Sequence, residues 1–222
     1  MIDLRLLYRE LLQRHGPQGW WWPGEEPFEI AVGAMLVQRS RWEQAEVSIA
    51  ALRGAGLLAP RALAGADQAA VRELVRGSGF ASVRPRRVIA LARWWEARAA
   101  AAPGLDDAQL RRELLAVEGV GEETADAICL YCFARPAFLC DEYARRLLQE
   151  RGVVVPASYR AFARLIAPAV ARAGFSVPEL AELHGLIVEQ GKSSAARADL
   201  RWSSAPPAPG PAPPAPGCAD RR

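Results

Sequence analysis

The chain has 222 residues, of which 51% are hydrophobic and 24% are charged, and its formal net charge is +3. This is the composition of a globular protein that has enough apolar side chains to form a core. No stretch is apolar enough to cross a membrane as a helix, the N-terminus lacks a signal-peptide pattern, and four cysteines do not predict a disulfide framework.

The basic residues are almost all arginine. Lys192 is the only lysine among the 28 basic side chains. The base composition of the coding sequence alone can produce such a bias. The bias nevertheless limits which reactions can use a lysine amine. Any step that needs a lysine amine must use Lys192 or the N-terminus. The small net charge is compatible with nucleic-acid binding but is no evidence for it. Such binding must instead be inferred from local clusters of basic residues.

Helical periodicity dominates the chain from its first segment. Leu4, Leu7 and Leu11 recur at the spacing of one helix face, and a turn-rich stretch follows at residues 16–24. No alternating pattern predicts a strand, because residues 153–155 are too few to build a sheet. We therefore predict an all-α fold. Further helices are predicted at 28–37, 41–53, 67–76, 85–101, 106–116, 115–134 with an internal turn, 141–150, 158–173 and 178–190.

The last segment differs in composition from the rest of the chain. After about Trp202 it consists mainly of proline, alanine and glycine. Such a segment cannot bury a core, so we expect residues 203–222 to be disordered or polyproline-like. A tail without function is the simpler interpretation.

A Gly-Val-Gly turn at residues 119–121 is the strongest local signal. Gly119 and Gly121 permit a tight turn, and Val120 between them can pack the flanking helices together. The turn opens into a helix N-terminus, where N–H groups and the helix dipole favour an anion. This is a helix-hairpin-helix pattern, which can hold a DNA phosphate together with a monovalent cation on the loop carbonyls. Taken alone, the residues would also fit an ordinary turn.

Asp141 follows the hairpin in a way that carries a family resemblance. It comes after an apolar run, downstream of Thr124. A helix-hairpin-helix followed at this distance by an aspartate resembles the endonuclease III superfamily of DNA glycosylases. Other segments resemble that family in the same order, over about residues 16–192. They are residues 27–40, residues 77–80 with the arginines at 84, 86 and 87, and residues 183–189.

The resemblance implies two helical lobes with a cleft between them. A barrel-like lobe that contains the helix-hairpin-helix motif would span residues 27–136. The second lobe would combine residues 1–26 and 137–200. Asp141 would then lie at the mouth of the cleft.

Two departures from the family pattern narrow the expected chemistry. Members that also cleave the strand have a lysine after the Gly-Val-Gly turn, where this chain has Glu122 and Glu123. A carboxylate cannot form an imine, so we expect no lyase activity. Many members carry four cysteines around an iron–sulfur cluster, but here no cysteine lies between Gly191 and Cys218. Because a cluster needs four thiolates, we expect no cluster and no other metal site.

The tryptophan-rich segment resembles one branch of the family. Residues 20–23 and 38–43 are similar to bacterial endonuclease III-like 3-methyladenine DNA glycosylases. In that branch, an aromatic of the Trp-Pro segment and one four residues past the glutamine sandwich the flipped base. A modified lysine of that branch is absent, since its aligned position is Leu186. The implied base pocket comprises Trp21 or Trp22, Pro23 and Trp42, with Lys192 as a further candidate.

These residues suit hydrolysis of an N-glycosidic bond after the base has been flipped out. Gln38 can fill the vacated space, and tryptophan faces can hold a cationic purine by stacking and cation–π attraction. An ionised Asp141 would stabilise oxocarbenium charge and orient or deprotonate the water, although a helix N-cap is its simpler role. The expected DNA contacts, some of which would otherwise be a solvated face, are Gln38, Arg39, Arg84, Arg86, Arg87, Gly119, Val120, Gly121 and Thr124.

The predicted function is a monofunctional DNA glycosylase for alkylated purines of the 3-methyladenine type in base excision repair. We expect it to act as a cytoplasmic, nucleoid-associated monomer on double-stranded DNA that contains a damaged base. Two alternatives stay open: a glycosylase for mismatched or oxidised pyrimidines, and a non-catalytic helix-hairpin-helix DNA-binding protein. Cys129 with Cys132, and the two histidines, His15 and His184, are interpreted as structural.

Overall fold

The computed structural model describes residues 2–19, 22, 24, 26–80 and 82–203, with side chains up to residue 193. In this part of the chain the backbone forms helices and turns and contains no strand, which confirms the predicted all-α fold. None of these helices is long and apolar enough to cross a membrane. Trp21 and Pro23 of the predicted base pocket, and residues 204–222 of the predicted tail, lie outside the described residues.

Eleven α-helices account for most of the described backbone. They are α1 (Leu4–His15), α2 (Pro27–Leu36), α3 (Trp42–Gly54), α4 (Pro60–Ala64), α5 (Gln68–Val75), α6 (Arg84–Arg98), α7 (Asp107–Leu115), α8 (Glu122–Phe133), α9 (Glu142–Glu150), α10 (Tyr159–Ala173) and α11 (Val177–Ser203). Short 3-10 helices at Arg76–Ser78 and Ala99–Gly104 extend α5 and α6.

Several helices begin where a short polar side chain can cap them. Asp3, Asp67, Asp106 and Ser158 each accept a hydrogen bond from the backbone N–H three residues further on. The predicted helix starts agree closely with the structure, since these caps mark them. The short helix α4 is missing from the sequence prediction because its five residues are too few to show a helical period.

A large apolar core joins α2 through α8. It includes Met35, Leu52, Leu91, Leu110 and Ile128, which are each at most 2% exposed. All of its buried members come from one continuous run of sequence. Burial of apolar surface at about 25 cal/mol per Å² is the main stabilising contribution to such a lobe.

A second core is assembled from both ends of the chain. Leu7 and Leu11 of α1 pack with Leu147 of α9, Phe162 of α10 and Leu186 of α11. The N-terminal helix therefore belongs to the same lobe as the last three helices. A two-lobed molecule agrees with the resemblance, whereas the residue limits given above for each lobe stay predictions.

A third, smaller cluster joins the two lobes. Trp22, Ala34 of α2, Tyr131 of α8 and Leu180 of α11 are all buried in it. Because α8 contributes to this cluster and also begins at the Gly-Val-Gly turn, one helix connects the hairpin with the junction between the lobes.

Candidate active site

The Gly-Val-Gly turn joins α7 to α8, as the helix-hairpin-helix pattern predicts. Gly119 has a φ of +86°, and a Cβ at this position would lie 2.4 Å from Cδ of Arg87. Only glycine therefore leaves room for the Arg87 stem across the turn. Val120 is buried in the first core, and Gly121 is the N-cap residue of α8. The first N–H groups of α8 have no partner within the helix and are available to an anion.

Two acidic side chains beside this turn, Glu118 and Glu122, are paired with arginines. The Oε1 of Glu118 lies 2.5 Å from Nη2 of Arg86, and the Oε1 of Glu122 lies 3.0 Å from Nε of Arg160. Both pairs reach solvent, where such a pair contributes at most about 1 kcal/mol. The arginines reduce the negative charge that the start of α8 would otherwise present to a phosphate.

Gln38, in the turn after α2, lies against the hairpin. Its Nε2 donates to the carbonyl oxygen of Gly119 at 3.0 Å and to Oγ1 of Thr124 at 2.8 Å. The predicted wedge and two of the predicted DNA contacts are thus brought together. Arg39 beside it is exposed and has a φ of 52°. The role of Gln38 within the DNA stack stays a prediction.

Arg84 has a different place from the one that the sequence suggests. It is only 4% exposed. Its guanidinium donates to the carbonyl oxygens of Met35, Leu36, Gln38 and Gly79 at 2.6 to 2.9 Å, and burial lowers its pKa. Arg84 is therefore not the surface cation that a DNA contact requires. It fixes the end of α2, which leads into Gln38.

An open cavity of about 570 Å³ lies beside the hairpin. Phe80 borders it with half of its surface exposed and a φ of 52°, a left-handed conformation that is unfavourable for a bulky residue. Sequence reasoning gave Phe80 no role of its own, since neither its exposure nor its φ is visible in a motif. Other lining residues are Gln38, Arg39, Arg87, Glu123 and Tyr159.

Asp141 caps α9, as its simpler interpretation predicts. Its Oδ1 accepts a hydrogen bond from the backbone N–H of Ala144 at 2.8 Å. The residue is 8% exposed, so the carboxylate is held close to the start of the helix, where the dipole favours its negative charge. Capping occupies one carboxylate oxygen and leaves the other for a second partner.

That second partner is His184 of α11. Its Nε2 lies 3.3 Å from Oδ2 of Asp141, and its Nδ1 lies 2.6 Å from the hydroxyl of Tyr131. All three side chains are buried. The sequence alone predicts only a structural role for His184. No sequence pattern indicates that a residue so far along the chain reaches Asp141.

Glu123, the second residue after the Gly-Val-Gly turn, lines the cavity. Its side chain reaches solvent at the cavity wall, yet surrounding protein atoms remove part of its hydration. Loss of hydration raises the pKa of this carboxyl, and the negative charge of Asp141 raises it further, while His184 acts in the opposite direction. Two carboxyls and an imidazole therefore influence one another at this end of the cleft.

Trp22 and Trp42 of the predicted base pocket belong to a packed aromatic cluster. Trp22 is 7% exposed, and its ring lies 5.5 Å from that of Trp42, edge to face, and 5.2 Å from that of Tyr131. Because the two tryptophans touch, no gap for a base lies between them. Trp42 is only half-buried, whereas Lys192 is exposed on α11.

Comparisons of sequence agree with this architecture. The profile of the HhH-GPD superfamily base excision DNA repair proteins matches residues 32–154. The protein MJ1434 of Methanocaldococcus jannaschii, provisionally named a DNA repair glycosylase, is 34% identical over 153 residues, which cover 67% of this chain and 69% of that protein. An endonuclease III of Sulfolobus acidocaldarius is 30% identical over 91 residues, 40% of this chain and 39% of that protein.

The solved structures that are similar to this chain include a DNA glycosylase and an endonuclease III. The 3-methyladenine DNA glycosylase MagIII of H. pylori, bound to 1,N6-ethenoadenine, has a TM-score of 0.71 at 25% identity, over 86% of this chain and 95% of that chain. A trapped covalent complex of endonuclease III with DNA has a TM-score of 0.67 at 16% identity, over 82% and 85% of the two chains. The second likeness concerns the fold alone.

Proposed function

The chain belongs to the HhH-GPD superfamily of base excision DNA repair proteins and is a DNA repair glycosylase, and we propose that it hydrolyses the N-glycosidic bond of alkylated purines without cleaving the strand. The observation that carries this proposal is the carboxylate of Asp141, which is buried and held by partners on both of its oxygens. A fixed anion at this place can stabilise the positive charge that develops on the sugar.

The choice of alkylated purines rests on the aromatic cluster and on the likeness to MagIII. An alkylated purine of the 3-methyladenine type carries positive charge and leaves readily, so its release depends more on recognition than on acid catalysis. Trp42 is the half-buried member of the cluster and can contact a base without being uncovered first. A cation over an indole face gains about 0.5–2 kcal/mol.

Hydrolysis without strand cleavage follows from the side chains after the turn. Glu122 and Glu123 have no amine, so no imine with the sugar can form at this position. The single lysine, Lys192, lies exposed on α11. We expect strand breaks only after alkali treatment of the abasic product.

We also propose that the enzyme works without an iron–sulfur cluster. The described cysteines, Cys129, Cys132 and Cys140, lie in α8 and just before Asp141, not after α11. Burial raises the pKa of the thiols of Cys129 and Cys140 to about 12, and that of Cys132 is raised as well. A cluster needs four cysteines that reach one point, and two of these three lie within α8. Iron analysis of the purified protein checks this point.

The direct experiment incubates the purified chain with methylated DNA and identifies released bases by chromatography. We expect 3-methyladenine from the wild type, and from Asp141→Asn a release rate that is lower by about 100-fold or more. Borohydride should trap no covalent complex with DNA, and Lys192→Arg should release the base at the wild-type rate. Full excision by Asp141→Asn, or trapping that depends on Lys192, would contradict the proposal.

A second candidate, a glycosylase for neutral pyrimidines, is favoured by one observation. A neutral leaving base needs a proton, and Glu123 is a cavity-lining carboxyl whose pKa is raised by loss of hydration, as suits a general acid. A duplex that contains uracil or thymine glycol, run in parallel, separates the two. Release from this duplex alone, abolished by Glu123→Gln, would replace the alkylated-purine proposal with the second candidate.

A further inference from the structure

We propose that His184 is a positioning residue for Asp141, and that the pair Tyr131–His184 fixes the orientation of the carboxylate during the glycosidic step. The proposal rests on the proposed function for what Asp141 does. It adds a second and a third side chain to the site, and neither was recognised in the sequence.

The hydrogen bonds have one consistent direction when His184 is neutral. A carboxylate can only accept, so the Nε2 of His184 must carry the proton that bonds Oδ2 of Asp141 at 3.3 Å. The Nδ1 is then an acceptor, and the hydroxyl of Tyr131 at 2.6 Å donates to it. The tyrosine thereby selects the imidazole tautomer that presents an N–H to Asp141.

The two oxygens of Asp141 are held from different directions by different elements. Oδ1 accepts from the N–H of Ala144 at the start of α9, and Oδ2 faces His184 of α11. Capping of α9 needs only the first of these contacts. The second contact costs the burial of a polar imidazole, which is 7% exposed. A contact that is unnecessary for the cap is explained by the orientation that it gives to the carboxylate plane.

The pair also connects Asp141 with the aromatic cluster. The ring of Tyr131 lies 5.2 Å from Trp22 and 5.8 Å from His184. Tyr131 lies on α8, His184 on α11 and Asp141 at the start of α9, so three helices meet at these contacts. Two side chains, those of Tyr131 and His184, therefore link Trp22 to the carboxylate of Asp141.

Acidic groups surround the imidazole on more than one side. Asp141 faces it from the start of α9, and Glu123 of α8 interacts with both of them. Tyr131 of α8 faces the other ring nitrogen of the imidazole. The bond to Tyr131 places the one N–H of the neutral imidazole on Nε2, which is the nitrogen that faces Asp141.

The activity test compares substitutions that keep or remove the donor. His184→Leu fills the space without an N–H, whereas His184→Gln retains a side-chain N–H. We expect His184→Leu to lower the single-turnover rate of excision by up to about 100-fold, the size of effect that follows from misplacing a reacting group. His184→Gln should recover part of that loss, and both variants should bind an uncleaved duplex like the wild type. Equal losses in both variants would overturn the proposal.

The coupling between His184 and Asp141 is tested by making His184→Leu in the Asp141→Asn variant. If His184 acts through Asp141 alone, His184→Leu costs nothing further in the excision rate of Asp141→Asn. An additional loss of the same size as in the wild type would show that His184 acts elsewhere. Thermal unfolding of each variant identifies losses that come from folding, and Tyr131→Phe provides a smaller change that removes only the hydroxyl.

A measurement that needs no substrate uses the fact that the chain has only two histidines. In protein labelled with ¹⁵N-histidine, Asp141→Asn should shift the ring-nitrogen resonances of His184 and leave those of His15 unchanged. His15 bonds Gln190 and serves as the internal control. Unchanged His184 resonances would overturn the inference. Absence of base release by the wild type would refute the proposed function without affecting this result.

Discussion

The two parts of the candidate site, the hairpin side and the Asp141 side, are constructed in opposite ways. The hairpin side presents backbone groups, a glycine turn and exposed arginines, and two of its acidic side chains, Glu118 and Glu122, are paired at the surface. The Asp141 side consists of buried side chains that bond one another across α8, α9 and α11. Backbone groups and surface charges suit a phosphate of any sequence, whereas a buried carboxylate suits a single reacting bond. Binding and chemistry are therefore expected to respond to different substitutions.

The largest effect should come from Asp141→Asn. Asparagine retains the cap of α9 but removes the negative charge, so stability should stay close to that of the wild type. We expect the single-turnover excision rate to fall about 100-fold or more, and the affinity for an uncleaved duplex to change little. The matched control is Asp106→Asn, which changes another capping aspartate at the start of α7 and should leave the rate unchanged. Loss of affinity with Asp141→Asn would contradict the separation of binding from chemistry.

Gly191→Ala should disturb the Asp141 side through packing. A Cβ at residue 191 would lie 2.2 Å from Cδ1 of Tyr143, which is a rigid ring on α9 close to Asp141. Overpacking of this kind costs about 1–3 kcal/mol. We expect a lower free energy of unfolding in urea and a slower excision rate. Gly54→Ala, where a Cβ meets nothing within 4 Å, should not destabilise the protein.

Gly119→Ala should act mainly on the hairpin side. Its φ of +86° is unfavourable for alanine by about 1–2 kcal/mol, and the Arg87 stem would have to move. We expect DNA affinity to fall, with the excision rate of the bound complex preserved. Gly121→Ala, whose Cβ has open space and whose φ is −87°, is the control for stability. If Gly119→Ala slowed only the chemical step, the hairpin would not be the binding side.

The smallest effect concerns the lobe that is assembled from both chain ends. The hydrogen bond from Arg5 and those from Ser176 lower the pKa of the Glu179 carboxyl to about 2. Because this pKa lies below that of the unfolded chain, its contribution to stability is present above about pH 4.5 and is lost as pH falls toward about 2. Thermal unfolding should depend less on pH over this interval in Glu179→Gln than in the wild type. The exposure of the pair keeps the difference small.

The sequence was sufficient for the parts of the site that depend on local pattern. The Gly-Val-Gly turn and the cap at Asp141 are each encoded within a few residues, and their order along the chain carried the family resemblance, which the comparisons confirm. His184 and Arg84 could not be assigned in this way. His184 reaches Asp141 from 43 residues away, and Arg84 bonds carbonyl groups nearly 50 residues before it. Only packing between helices reveals such contacts.

The position of Gln38 has a consequence for how the enzyme searches DNA. In the free protein its amide is bonded to Gly119 and Thr124, so entering a duplex requires that both bonds break. Each bond contributes about 0.5–1.5 kcal/mol, which is a small barrier compared with opening an intact base pair and stack. Sliding along undamaged DNA can then proceed with the side chain docked. If Gln38 enters the DNA as predicted, its release is favoured mainly where a damaged base has already weakened the helix, and the inspection of each step is then selective before any chemistry begins.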